Sequence, residues 1–347
     1  MNIQERIKAF AELGDILRKS LSGGYDPRAA GLTGLIADQY KINGWFTIDN
    51  VTAALNAIAE QLTVGFLTVW TRDYPWLEED IRPIKVAVIM AGNIPLAGFH
   101  DYLSVLISGN YLLARTSSKD SELIVKISDI LFSVDSRFRD RIEFVPGSLK
   151  NFDAVIATGS NNSSRYFEYY FGMYPNIIRR NRNSIAVLDG NETGAEIREL
   201  GKDIFLYFGL GCRSVSKIFL PEGYDIKSVP ADWDNYAGII GHHKYANNYD
   251  YNKAVFLVNR VKFTDTGYLL LKEDPGLSSP VAVLHYEFYR NRNDLEEKIK
   301  SDKEKIQCIV GHGNLPFGTA QSPYLWDYAD GIDTLDFLSK KNRAGIL

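Results

Sequence analysis

The chain has 347 residues, length for roughly two domains at about 150 residues each. Lys plus Arg number 39 against 43 Asp plus Glu, a formal charge of −4, so the basic excess of a dedicated nucleic-acid or anionic-membrane binder is missing. Apolar residues make up 45% and charged residues 24%, the profile of a folded globule, and two cysteines, Cys212 and Cys308, exclude a disulfide framework.

In chain order, residues 1–75 read mostly as helix, with Ile7, Phe10, Leu13 and Leu17 at three- and four-residue spacing, as are Val51, Leu55, Ile58, Leu62 and Phe66. The charged, amphipathic start has no apolar leader, and the most apolar stretch, 84–99, is interrupted by Lys85, Asn93 and Pro95. The expectation is a cytoplasmic chain without an integral membrane segment. From residue 84, short apolar runs (84–92, 110–116, 142–147, 153–159 and 184–190) alternate with helical segments at 95–107, 119–132 and 161–172. Strands buried on both faces and separated by helices are the pattern of a parallel α/β sheet. A doubly wound domain is therefore predicted over 1–205. Further strands are expected at 217–223, 253–259, 266–274, 280–288 and 306–313, with a Tyr/Asn-rich loop at 243–252 and a charged helix at 294–305. These make a second α/β domain over 206–325, and residues 326–347 read as an exit strand.

Three segments offer chemistry. FGLGCRSVSK (208–217) sets Cys212 between glycines and a basic residue; Gly209 and Gly211 permit an unusual backbone, and Arg213 can favour the thiolate. The alternative is a small buried hydrophobe, the reading that suits Cys308 in IQCIVG. AGNIPLAGF (91–99) follows the strongest strand, where α/β ligands sit, and the Asn93 amide can donate to a developing oxyanion. ATGSNNSS (157–164) runs from strand into helix, a start that attracts phosphate. Asp189 is the second-to-last residue of the run at 184–190, and His312 stands shortly before Pro316. The pair His242-His243 has no third ligand at a recognisable spacing, so no metal is expected. Arg179, Arg180 and Arg182 read as a solvated run, with the grip on a carrier phosphate as the alternative. The aromatics at Tyr166, Phe167, Tyr169, Tyr170 and Phe171 read as packing.

Taken together and in this order, the segments resemble the aldehyde dehydrogenase superfamily, and within it the long-chain acyl-CoA (fatty-acyl) reductases of bacterial luciferase operons. The resemblance is carried by Asn93-Ile94-Pro95-Leu96, Gly109-Asn110, Arg115-Thr116-Ser117, Thr158-Gly159-Ser160, Cys212 in its Gly-x-Cys context, and Pro316-Phe317-Gly318. It implies an aldehyde-dehydrogenase-like fold, with a Rossmann-like cofactor domain and a second α/β domain carrying the nucleophile. It also implies that Cys212 attacks an acyl thioester while Asn93 and the Cys212 N–H hold the oxyanion. Thr158, Gly159 and Ser160 would face the pyrophosphate of a nicotinamide cofactor, Arg115 and Ser117 its adenosine ribose, with Pro316 and Phe317 completing the cofactor site.

Departures sharpen the expectation. The family's water-activating Glu is matched by Val187, which favours reduction of the acyl-cysteine over its hydrolysis. Gly276 to Pro280 replace a Glu-x-Phe-Gly-Pro motif that holds the nicotinamide ribose. Ser118-Lys119 stand where an acid often contacts the adenosine ribose, which favours NADPH over NADH. Expected partners are acyl-CoA or an acylated protein, an acyl-protein synthetase, and further copies of the chain, since the exit strand resembles a subunit-bridging strand. The rival readings are an NAD(P)-dependent aldehyde dehydrogenase and a non-catalytic acyl-binding subunit.

Overall fold

The computed structural model describes residues 1–79, 81–226 and 229–343. Residues 1–181 and 324–347 form one compact unit and residues 182–323 a second.

The first unit opens with four helices, α1 (Ile3–Leu21), α2 (Leu32–Ile42), α3 (Ile48–Gln61) and α4 (Val64–Thr71). Asn2 starts α1 through a capping box: its side chain accepts the Glu5 N–H at 2.9 Å, and Glu5 accepts the Asn2 N–H at 2.8 Å. The apolar stripe of α1 then buries Ile7, Phe10, Leu13 and Leu17, with Phe10 edge-on to Phe138 at 5.5 Å. Strands and helices alternate next: β1 (Lys85–Ile89), α5 (Phe99–Ile107), β2 (Tyr111–Arg115), α6 (Glu122–Val134), β3 (Ile142–Phe144), β4 (Ala154–Thr158), α7 (Asn161–Phe171) and β5 (Asn176–Arg179). The sheet order is β3-β2-β1-β4-β5, and every neighbouring pair is parallel. The order reverses beside β1, so the crevice at the carboxyl ends of β1 and β4 is the ligand position of a doubly wound sheet.

The second unit holds β6 (Asn183–Val187), α8 (Gly194–Phe205), β7 (Val215–Pro221), α9 (His243–Val258), β8 (Thr264–Asp265), β9 (Leu270–Glu273), β10 (Val283–Tyr289), α10 (Arg292–Asp302) and β11 (Ile306–Val310). Its sheet runs β11-β6-β7-β10-β9-β8, parallel except for β8 against β9. The core between sheet and helices centres on Trp233, which is fully buried and donates its Nε1–H to the Ile197 carbonyl at 2.6 Å.

Four differences from the sequence reading have physical causes. The unit boundary falls at 181/182 rather than 205/206, because β6 pairs with β7 and β11 of the second sheet. The apolar run at 253–259 and the loop expected at 243–252 are one helix, α9, started by His242, whose Nδ1 accepts the Tyr245 N–H at 3.4 Å. A short apolar run has no period long enough to tell strand from helix. The terminal stretch is a helix, α11 (Thr334–Arg343), which buries Leu335 and Leu338 in the core of the first unit; the expected subunit-bridging strand is absent from the described residues. Finally, β5 has no sequence signal beyond its two central isoleucines.

Candidate active site

In the first unit the predicted residues gather at the carboxyl ends of β1, β2 and β4. Asn93 is exposed, in the loop after β1. That loop turns at Leu96, whose φ of 57° is uncommon for a residue with a side chain. The turn is tied down from below: the buried Asp120 accepts the Leu96 N–H at 2.6 Å. Its other oxygen, Oδ1, is buried with no hydrogen-bond partner among the described residues, and burial pushes the carboxyl up to about 7. Arg115 ends β2 exposed, and Ser117 follows, its hydroxyl accepting the Lys119 N–H at 3.2 Å. Asp120, the first acid after β2, is turned inward, so the exposed groups at this strand end are Arg115, Ser118 and Lys119.

Thr158 closes β4, and Ser160 caps α7 by accepting the Ser163 N–H at 3.2 Å. Gly159 lies between them because nothing larger fits. A Cβ there would come within 2.8 Å of the Ser163 Cβ and 2.9 Å of the Phe167 ring. Strand and helix thus meet closely, and α7 has no acidic residue in its first turn. Such a helix start, with outward N–H groups and no carboxylate, fits the pyrophosphate of a dinucleotide. Phe167 and Phe171 pack under α7, whereas Tyr166, Tyr169 and Tyr170 are 66%, 81% and 65% exposed, so three of the five aromatics expected to pack face outward.

In the second unit Cys212 is half-buried and follows a left-handed stretch of backbone: Tyr207, Phe208 and Gly209 have φ of 55°, 57° and 72°. Of the two glycines expected to adopt unusual backbone only Gly209 does so; aromatic residues take the other strained positions. Cys212 is the second residue of a tight turn that leads into β7. The Ser214 N–H donates to the Gly211 carbonyl at 3.0 Å, and the Gly211 N–H donates to the Ser214 hydroxyl at 3.2 Å. The Ser184 hydroxyl donates to the Cys212 carbonyl at 3.0 Å. Arg213 does not stand loose beside the thiol: its Nε donates to the Ala320 carbonyl. Cys308 is half-buried, with its Sγ 3.0 Å from the Ser184 hydroxyl.

Pro316 and Phe317 lie on a loop held by α8. The carboxylate of Asp203, which has no exposed surface, accepts the N–H of Gly318 at 2.7 Å and of Ala320 at 2.9 Å. Burial pushes Asp203 up to about 6, the two N–H groups opposing the rise. Val187 is a correction. It sits three residues along β6 from Ser184, about 10 Å at the rise of a strand, paired with Phe219 and packed against that strand's apolar face. It is not beside the Cys212 turn, and its lack of a carboxylate carries no argument about water.

Asp189 and Glu196 both bond the His312 ring, at 3.0 Å each; these two carboxylates raise the imidazole to about 9. Asp189, Glu192 and His312 have donor atoms within 4.8 Å of one another, yet Glu192 already takes the Asp189 and Gly190 N–H groups, so the trio is an ionic clasp on the 189–193 turn. Arg179 is not a solvated cation. It is 3% exposed, donates to Asp101 at 2.8 Å and to Thr334 at 2.9 Å, and ties α11 to α5. Arg180 pairs with Glu168, and Arg182 donates to the Ile306 carbonyl at 3.3 Å. The Gly276–Pro280 segment is fixed by the buried His285, whose Nδ1–H donates to the Gly276 carbonyl at 2.9 Å. Ser279 and Pro280 line a small pocket of about 30 Å³ with Phe205, Phe208 and Tyr245.

The fold is that of an aldehyde-dehydrogenase-like protein. The structure is similar to the NAD-dependent aldehyde dehydrogenase of Sinorhizobium meliloti, at 12% identity and a TM-score of 0.66 over 89% of this chain and 70% of that one. It is also similar to an acetylating aldehyde dehydrogenase of Geobacillus thermoglucosidasius, at 11% identity and 0.58 over 89% and 76% of the two chains. Proline utilization A gives 13% identity and 0.62 over 89% of this chain, which spans only 36% of that longer protein. No curated protein sequence matches the chain. The family model of the acyl-CoA reductases (LuxC) matches residues 42–229, more than half of the chain. The chain belongs to the LuxC acyl-CoA reductase family, a family of oxidoreductases acting on acyl or aldehyde groups. Among the described residues no helix is long and apolar enough to cross a membrane.

Proposed function

We propose that the chain reduces a long-chain acyl thioester, such as acyl-CoA, to the aldehyde through an acyl-cysteine on Cys212, with NADPH as the reductant. The observation that carries this reading is the Gly211–Ser214 turn: a member of an acyl-CoA reductase family holds the half-buried thiol of Cys212 in a tight turn whose backbone is tied by Ser184 and Ser214. A preset nucleophile of this kind lowers the entropy cost of attack.

The Cys212 thiolate attacks the carbonyl carbon of the thioester. The oxyanion takes a hydrogen bond from the Cys212 N–H, a donor of the kind worth several kcal/mol in a dry site. Collapse breaks the bond to the carrier sulfur, which leaves as thiolate and takes a proton from solvent. When bound, the reduced nicotinamide supplies a hydride, two electrons and one hydrogen nucleus, to the acyl carbon. Cys212 then departs as thiolate and the aldehyde is released. Thr158, Gly159 and Ser160 would hold the pyrophosphate of the cofactor at the start of α7. The exposed Arg115 and Lys119, with Asp120 turned inward, favour a 2′-phosphate and hence NADPH over NADH.

Incubation with radiolabelled acyl-CoA tests the reading. The wild type takes covalent label that NADPH discharges as aldehyde, and Cys212→Ala takes none. Label surviving Cys212→Ala removes the cysteine mechanism; label that no nicotinamide discharges leaves an acyl-binding subunit. For the cofactor, Lys119→Glu is expected to cut the NADPH/NADH preference by about tenfold, the effect of one surface charge near a phosphate, read from kcat/KM with each.

A further inference from the structure

We propose that Asp203 is a positioning residue for Cys212, acting through the 316–321 loop; this rests on Cys212 being the nucleophile. Asp203 lies on α8 with no exposed surface, and its two oxygens accept the N–H groups of Gly318 and Ala320 at 2.7 and 2.9 Å. The same Ala320 offers its carbonyl to Arg213 Nε, and the next residue, Gln321, donates its Nε2–H to the Ser214 hydroxyl at 3.1 Å. Arg213 and Ser214 are the two residues that follow Cys212. One carboxylate therefore fixes the loop, and the loop fixes the cysteine turn at two points.

The geometry asks for a carboxylate in particular. Both of its oxygens face N–H donors, so an asparagine must set its NH₂ against one of them and leave that N–H unpaired. The loop also lies directly on α8: at Gly318, with φ of 81°, a Cβ would come within 2.5 Å of a Glu199 carboxylate oxygen. A loop this constrained has one resting position, and its links to Arg213 and Ser214 pass that position on to the thiol.

The experiment compares wild type with Asp203→Asn, Arg213→Gln and the double variant. The readouts are the rate of iodoacetamide alkylation at Cys212 (assigned by peptide mass), kcat and KM for acyl-CoA, and the thermal midpoint. Asp203→Asn is expected to slow Cys212 alkylation and kcat by about tenfold, as small misplacements of a reacting group do, with KM unchanged within about twofold. Arg213→Gln should do the same without touching the Asp203 contacts, and the double variant should be no slower than the worse single, because both cut one path. An Asp203→Asn protein that only melts earlier, with alkylation and kcat intact, overturns the proposal; so do losses that multiply in the double variant. If Asp203→Asn fails to fold, Arg213→Gln decides: unchanged alkylation and kcat overturn it. Failure of the nucleophile reading looks different, since wild-type Cys212 would then alkylate in a manner sensitive to Asp203 yet carry no acyl label.

Discussion

Asp203 accepts two backbone N–H groups and Asp120 accepts one, and burial pushes the first up to about 6 and the second up to about 7. Both brace a loop bearing a predicted site residue, Phe317 in one unit and Asn93 in the other. The difference lies in the second oxygen. At Asp203 it is occupied by a donor that stabilises the anion; at Asp120 it is buried with no partner among the described residues, a place suited to the proton of a neutral acid. Each donated N–H recovers part of the ionisation that burial opposes, so a count of donors orders the two carboxyls.

Removing the better-satisfied carboxylate should do the greater damage. Asp203→Ala strands two buried N–H groups, at roughly 1–3 kcal/mol each, and a loss of about 3 kcal/mol in denaturant unfolding is expected. Asp120→Ala strands one and should cost about half as much by the same reckoning; equal losses would break the comparison. The pH dependence sharpens it. Both folded values stand above the unfolded aspartate value of about 4, so the native state holds more protons than the unfolded chain between that pH and the folded values. Stability therefore falls as pH rises, from about 4 to 6 on account of Asp203 and from about 4 to 7 on account of Asp120. Asp120→Asn should flatten the slope between 6 and 7 and about halve it between 4 and 6, where Asp203 alone remains; an unchanged slope between 6 and 7 would show that Asp120 ionises as an ordinary carboxylate. The smallest effect is expected at Gly159→Ala, where the added Cβ must push Ser163 or Phe167. Weaker NADPH binding, by about tenfold, with little change in acylation of Cys212, is the expected result in a fluorescence titration.

The sequence revealed four of the five parallel strands of the first unit, β1 to β4, because each is a short apolar run, and it revealed the loops after β1 and β4 because ligand-side loops carry Gly, Asn and Ser where strands do not. It also singled out Cys212 by its glycine neighbours, although the strain there falls on Tyr207 and Phe208, which no composition rule marks. The two aspartates were harder to see. Asp203 stands three residues from the buried Leu200 and beside Ile204 on the inward stripe of α8, so a polar residue on an apolar face was the available signal. Asp120 offered none, since its burial is set by the contact with Leu96, 24 residues earlier. Helix α9 has apolar and polar residues so mixed around its axis that neither period emerged, and α11 was hidden by its resemblance to an exit strand.

Helix α11 places a constraint on biosynthesis. The first unit needs residues on both sides of the second: Thr334 meets Arg179, Tyr328 accepts from Trp70 Nε1 at 2.7 Å, and Leu335 and Leu338 fill its core. A chain emerging from the ribosome therefore completes residues 182–323 while the earlier unit still has an open seam, with the Asp101–Arg179 pair short of Thr334 as a partner. The earlier-made half is the last to close, and a ribosome stalled before residue 324 would present a finished second half tethered to an unfinished first.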